Sequence, residues 1–437
     1  MKNVSGVIGV GWITEFPTRL LIALFAIFSI FLFFGVSSAD DLKLKDLIEE
    51  ALTKSPEIRA SEARAAAARF RIPQAKSLPD PMLMFGYQNE GFNRYSYGET
   101  LMSQWMFSGS QMFPFPGKRG LKGQIASTDA ETLGDIKTFT RLKVVSKIRE
   151  VYYDLFLAYK NIDLIKERLS LFSQIEDAAV ARYSSGMGSQ QEVLMAQTEK
   201  YMLLEKEEML KQKIQSAEAM LNTTVGRDVN APLGRPIEPA YSPYGRTVDE
   251  MLLHAYEKSP EIKAKERMVA ASGLRVDLAH REYYPDFTIT AEYDKKGGPF
   301  MDMWALTTTI NIPLYYKTKQ RQGVLEAEAM QLEAKNELEA TKLMLASSIR
   351  DNYSMIRTAE RLMDLYKGGL IPKSYQDFES ALAGYATGKA EALTVISRLK
   401  SLIEFENLYW VQLAEREKAI ARSESICGIS ETLGEGR

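Results

Sequence analysis

The chain has few residues with which to do covalent or metal chemistry. Its 437 residues include two histidines, His254 and His280, and one cysteine, Cys427. The histidines are far apart and neither has a neighbouring Cys or His, so a histidine-built metal centre or a Ser-His-Asp triad is excluded on supply. One cysteine closes no internal disulfide and leaves the redox compartment open. No glycine-rich phosphate loop or activated nucleophile is evident, which argues against an enzyme. Methionine is better supplied, with 19 residues. Met82, Met84, Met102, Met106, Met112 and Met303 fall in short alternating stretches, on the parity opposite to the aromatic residues. Thioethers are ligands for soft ions such as Cu(I) and Ag(I). The plainer reading is that methionine fills irregular space, so no metal site is firmly predicted and no cofactor is expected. Basic and acidic side chains nearly cancel, 55 against 57, so no basic excess points to nucleic acid.

The elements that position these residues begin after a segment of a different kind. Residues 1–39 carry Lys2, Arg19, an apolar run from Leu20 to Val36, and then Ser37 and Ala39 ahead of two aspartates. This is the pattern of a cleaved signal peptide. The rival reading, an anchored transmembrane helix, needs a span of about 20 residues, and the run is shorter. No later segment is a continuous apolar span.

The rest of the chain is written twice. Ser55-Pro56-Glu57-Ile58 returns as Ser259-Pro260-Glu261-Ile262, and the match extends without gaps from Ala51 to Pro81 against Ala255 to Pro285. "AVARYSSG" from Ala179 returns as "ALAGYATG" from Ala381. A period of about two hundred residues is too long for a solenoid and marks a duplicated half-molecule. The first repeat spans 40–225, a linker rich in Pro and Gly spans 226–246, the second repeat spans 247–425, and a tail spans 426–437.

Each half has one internal order. A helix of about 35 residues carries the Ser-Pro-Glu-Ile sequence near its start, with the proline suited to a first turn. A β-hairpin follows, at 82–113 and at 286–313. In the second, Phe287, Ile289, Ala291 and Tyr293 alternate with Thr288, Thr290 and Glu292, and Trp304, Leu306, Thr308, Ile310 and Ile312 alternate with Ala305, Thr307, Thr309 and Asn311. In the first, Leu83, Phe85 and Tyr87 share one face, as do Trp105 and Phe107. Lys118, Arg119, Lys317, Lys319 and Arg321 follow the hairpins and are expected in water. A helix of about 65 residues comes next, ~100 Å long at its regular rise. Its seam steps by four and three, through Val144, Ile148, Val151, Leu155, Ala158 and Ile162, and again through Leu345, Ile349, Asn352, Ile356, Ala359 and Met363. The tips at 183–188 and 384–389 hold Tyr-x-x-Gly, and a return helix follows each.

If the aromatic faces of the hairpins meet lipid, every backbone group must be paired. Four strands cannot close a membrane barrel, for which about eight is the least, so several chains must share one. A water-exposed coiled-coil scaffold is the competing reading, and it leaves the apolar strand face and the signal segment unexplained.

The doubled "SPEI" together with "LPDPMLMFGY", "QMFPFPGKRG", "NIPLYYKTKQ" and "LIPKSYQDFESALAGYATGKAEALTVI" resembles the TolC family of outer-membrane channel proteins, over nearly everything after the signal segment. The resemblance implies a mostly α fold with a small β part. A homotrimer would close a twelve-stranded outer-membrane barrel, four strands from each chain, on a long periplasmic coiled-coil barrel. It further implies a passive exit duct that docks to a periplasmic adaptor protein and an inner-membrane pump. A duct for type I protein secretion is the alternative within the family. "LPDPML" and "FPFPGKR" are most similar to the heavy-metal branch, whose pumps are of the resistance-nodulation-division class. By the same resemblance Tyr183, Gly186, Tyr385 and Gly388 form the adaptor-facing tip. Two aspartates that ring the pore in well-known members are replaced here by Thr394 and Ser397, and Glu192 and Glu391 are the nearest acids.

Overall fold

A computed structural model describes residues 41–241 and 243–429; the signal segment lies outside them, as does most of the tail. The first half contains α1 (Leu44–Lys54), α2 (Pro56–Lys76), β1 (Met82–Gln88), β2 (Gln104–Phe113), α3 (Lys118–Ser184) and α4 (Gln190–Val225). The second contains α5 (Val248–Lys258), α6 (Pro260–Arg281), β3 (Asp286–Lys296), β4 (Met303–Asn311), α7 (Gln320–Leu365), a π turn (Tyr366–Leu370), α8 (Ile371–Ala386) and α9 (Ala392–Cys427). The fold is mostly helical with one small sheet.

The expected 35-residue helix is two helices in each half. Ser55 and Ser259 take φ near −55° and ψ near 120°, so the chain turns between α1 and α2 and again between α5 and α6. The physical reason is the proline that follows. It disfavours helical geometry in the residue before it while suiting the first turn of the next helix. The kink has a partner. Each return helix ends on a left-handed glycine, Gly226 (φ 97°) and Gly428 (φ 73°). A Cβ on Gly226 would lie 2.7 Å from the Lys54 carbonyl oxygen, and one on Gly428 would lie 2.9 Å from that of Lys258. The repeated Ser-Pro-Glu-Ile is thus the seat on which the end of the return helix lands, and Ile58 and Ile262 are fully buried beneath it. Arg227 fastens the first seat by an ion pair with Glu50.

The long helix is continuous in the first half and carries a π turn in the second. Pro372 sits in the first turn of α8, directly after that widened turn. The heptad seams before it are offset by 201 residues between halves, Val144 against Leu345, while the tips are offset by 202, Tyr183 against Tyr385. One π turn accommodates the extra residue without rotating the faces beyond it.

The seam residues form the core. Val144, Ile148, Leu155, Ile162 and Ile165 of α3 pack with Leu210, Ile214 and Leu221 of α4 in one cluster. Phe172 and Ile175 of α3 pack with Phe378 and Tyr385 of α8 and with Val395, Ile396 and Leu399 of α9 in another, nearer the tips. The sheet has the order β1-β2-β3-β4 and is antiparallel throughout, so the hairpins of the two halves are joined by β2 against β3. Among the described residues, no helix is long and apolar enough to cross a membrane.

Candidate functional site

Two places combine the duplicated plan with specific side chains: the helix tips and the faces of the sheet. At the tips, Gly186 (φ 73°) and Gly388 (φ 75°) take the left-handed conformation that ends a helix and turns the chain back. The tyrosines before them are not equivalent. Tyr385 is wholly buried, while Tyr183 is half exposed. The cause is Arg182. Its guanidinium lies 4.8 Å from the Tyr385 ring centroid and donates to the Tyr385 carbonyl oxygen at 3.1 Å. The Tyr385 hydroxyl crosses to α4 and donates to Glu192 Oε2 at 2.8 Å. Arg182 Nε stands 3.8 Å from the same oxygen. Burial, with Glu192 alongside, pushes the Tyr385 hydroxyl up to about 12.

Arg182, Glu192 and Tyr385 therefore clasp α3, α4 and α8 together at the end of the bundle. Glu192, expected as an acid at a pore entrance, is a partner in this clasp. Glu391, Thr394 and Ser397 are exposed at the start of α9. Arg182 was not singled out in the sequence, because its partners are up to 203 residues away. A signal was nevertheless present: the duplicated position holds Gly384, so the repeat supplies Tyr183 with no counterpart of Arg182.

In the sheet, the ladders assign every side chain to a face. Opposed residues share a face and successive ones alternate. Met82, Met84 and Gly86 of β1 oppose Ser110, Ser108 and Met106 of β2. Met106 and Met112 oppose Asp294 and Thr288 of β3, and Asp294 opposes Met303 of β4. Five of the six methionines thus share a face with serines, threonines, Glu292 and Asn311. Met102 does not belong to it; it lies in the turn before β2. The alternation simply stops short of it, where the chain loops between Asn89 and Ser103. The opposite face carries Leu83, Phe85, Tyr87, Trp105, Phe107, Phe287, Ile289, Tyr293, Trp304, Leu306 and Ile310. Trp304 and Phe85 expose 81% and 73% of their surface, which water would not tolerate in so broad a band.

Below the sheet, Lys118 departs from expectation. It is buried rather than solvated, and its ammonium donates to Asp286 at 2.9 Å, Glu282 at 3.1 Å and the Tyr284 carbonyl at 3.0 Å. The start of α3 is thereby pinned to the start of β3, across the two halves.

The sequence pattern of a family described as "Outer membrane efflux protein" matches residues 47–227 and 252–397. The chain is 21% identical over 346 residues to the nickel-cobalt-cadmium resistance protein NccC of Alcaligenes xylosoxydans xylosoxydans, covering 75% of this chain and 73% of that one. It is 22% identical to the pyoverdine export outer membrane protein OpmQ of Pseudomonas putida, covering 88% and 86%. The cobalt-zinc-cadmium resistance protein CzcC of Cupriavidus metallidurans is 19% identical, covering 71% and 74%. Among solved structures, the outer membrane protein VceC of Vibrio cholerae shares the fold with a TM-score of 0.75 at 20% identity, covering 88% of this chain and 96% of VceC. CusC shares it with a TM-score of 0.72 at 16% identity, covering 91% and 93%.

Proposed function

Because the chain belongs to the outer membrane efflux protein family, we propose that three copies of it form an exit duct. In this reading the duct carries metal ions or small toxic compounds, handed over by a periplasmic adaptor and a resistance-nodulation-division pump, through the outer membrane. The observation that carries the reading is the two-faced sheet with open edges. One face is mainly apolar and aromatic, interrupted by Gln111, Thr308 and Lys295, and the other is polar with methionines. A sheet with a lipid face needs closure, since its edge donors and acceptors find no water in the membrane. Three copies supply twelve strands, enough to close where four are not. The apolar band then meets lipid, and the polar face lines the duct.

The helices continue the duct away from the membrane. α3 alone runs 67 residues, or ~100 Å. Transport through such a tube needs no catalytic group; the chain's task is to be open or closed, and the energy comes from the pump. The clasp of Arg182, Glu192 and Tyr385 holds the tip together. Parting it is the local step that widens the far end when an adaptor docks against Tyr183, Gly186, Tyr385 and Gly388. Metal cargo is favoured over other cargo by the relatives named for nickel, cobalt, cadmium and zinc resistance.

Two measurements test the reading. The mature protein, extracted from the outer-membrane fraction in detergent, is expected to have the mass of a trimer. A deletion strain is expected to accumulate divalent metal and to grow poorly on it, with rescue by the intact gene. A detergent-independent monomer would overturn the duct. Unchanged tolerance of every metal tried, with a trimer present, would overturn the cargo alone.

A further inference from the structure

β1 and β4 are the two open edges of the sheet, each with a single neighbour. The shared-barrel reading requires them to meet between copies, and the duplication says how. We propose that β4 of one copy pairs antiparallel with β1 of a second copy in one defined register. Thr307, Thr309 and Asn311 lie opposite Gly86, Met84 and Met82 toward the duct, and Leu306, Thr308 and Ile310 lie opposite Tyr87, Phe85 and Leu83 toward lipid.

The seam that the chain already contains supplies the register. β2 against β3 joins the hairpin of one half to that of the other, with Trp105 opposite Lys295 and Phe113 opposite Phe287. Each hairpin also carries an internal marker, a tyrosine opposite a tryptophan: Tyr87 with Trp105, and Tyr293 with Trp304. Matching these pairs makes β3 the counterpart of β1 and β4 the counterpart of β2. The same match lays Pro114 on Pro313 and Pro79-Asp80 on Pro285-Asp286, two residues out of step with the helices before the strands, whose own match carried onward would set Pro81 on Pro285. Replacing each residue of the β2-β3 seam by its counterpart turns that seam into β4 against β1. Trp304 then faces Asn89, and Ile312 faces Pro81.

Three properties of the product support the match. All seven residues of β1 gain a partner within β4. The aromatic face and the methionine-bearing face are each continued across the seam; a slip by one residue would turn Met82, Met84 and Asn311 to lipid. The ion pair beneath the seam also recurs. Lys118 with Asp286 becomes Lys317 with Asp80 of the second copy, and Lys319 stands two residues on. Asp80, Lys317 and Lys319 are exposed, and none has an ion pair among the described residues. Lys317 and Asp80 have the signs and places that Lys118 and Asp286 occupy within the chain.

The proposal rests on the shared-barrel reading, and cysteine cross-linking tests the two separately. Thr309→Cys is combined with Met84→Cys, and in two comparison proteins with Met82→Cys or Gly86→Cys. Within one chain β1 and β4 are separated by two strands, roughly 14 Å, beyond disulfide reach, so any bond forms between copies. Each double variant is first weighed in detergent to establish that it assembles. On oxidation, the Thr309→Cys, Met84→Cys protein is expected to give a reductant-sensitive covalent trimer, at about tenfold the yield of either comparison, whose cysteines are displaced by about 7 Å. Trimers in which a comparison pair cross-links best, or in which none does, would overturn the register and leave the barrel standing. Monomers throughout, with the unsubstituted protein monomeric too, would overturn the barrel and the register with it.

Discussion

At the scale of single residues, the tip clasp and the seat of the return helix make opposite demands on charge. Tyr385→Phe removes one hydrogen bond to a carboxylate and leaves the ring under Arg182. Such a bond contributes about 1–2 kcal/mol, so the balance between closed and parted tips should shift by roughly tenfold. Planar-bilayer recordings should show a higher or more frequent open level, and Arg182→Ala, which also removes the ring contact, should show more. Unchanged recordings for both would mean that the clasp does not hold the tip. The clasp also carries a pH signature. Tyr385 keeps its proton to a higher pH when clasped than when free, so its contribution is intact below pH 10 and is lost as pH rises through about 12. Glu50 behaves in the reverse sense. The hydrogen bond from Arg227, aided by Lys54, lowers its carboxyl from 4.5 to about 2. Its contribution is therefore present above pH 4.5 and is lost as pH falls through about 2. Glu50→Gln should cost about 2 kcal/mol at neutral pH, seen as a lower Tm, and the difference should vanish only below pH 2.

At the scale of elements, what the sequence makes legible is what repeats with a short period. Leu83, Phe85 and Tyr87 alternate because a strand in a two-sided setting has period two, and the ladders place them on one face. The α3 seam reads directly as heptads because Val144, Ile148, Val151 and Leu155 touch their neighbours through local geometry. Relationships made at long range are not legible in this way. Nothing near Lys118 says that Glu282 and Asp286 will bury it, and nothing near Glu192 says that Tyr385 will reach it. The Ser-Pro kink is intermediate. Pro56 suits a helix start, and a start inside a longer apolar pattern is easily read as one helix; only the landing of Gly226 shows why a break is needed. That contact is testable. Gly226→Ala combines a left-handed backbone with a Cβ set 2.7 Å from the Lys54 carbonyl, and Gly428→Ala does the same against Lys258 at 2.9 Å. Gly186→Ala has the same backbone sign but open space around its Cβ. The first two should lower stability by about 2–3 kcal/mol and the third by about 1 kcal/mol, ranked by thermal melts of the detergent-extracted protein. Equal losses at all three sites would mean that backbone strain, and not the seat, sets the cost.

At the scale of the whole molecule, the two faces of one strand make separable predictions, because adjacent residues of β4 point into different solvents. Leu306 belongs to the aromatic band and exposes 67% of its surface in the single chain, while Thr307 belongs to the face with Met84 and Met106. In the closed barrel the first meets hydrocarbon and the second meets the aqueous duct. Leu306→Arg places a charge in lipid, at a cost of about 2–4 kcal/mol per copy near the midplane. Three copies pay it together, so the trimer yield in the outer-membrane fraction should fall steeply. Thr307→Arg places the same charge one residue away, in water, where it should assemble at wild-type yield. It should instead reduce cation conductance, because three arginines then line one ring of the duct. A scaffold with a water-exposed sheet would treat the two substitutions alike, since neither face would then be a membrane face. The pair of variants thus separates the duct from the scaffold through assembly and conductance together, whatever the cargo proves to be.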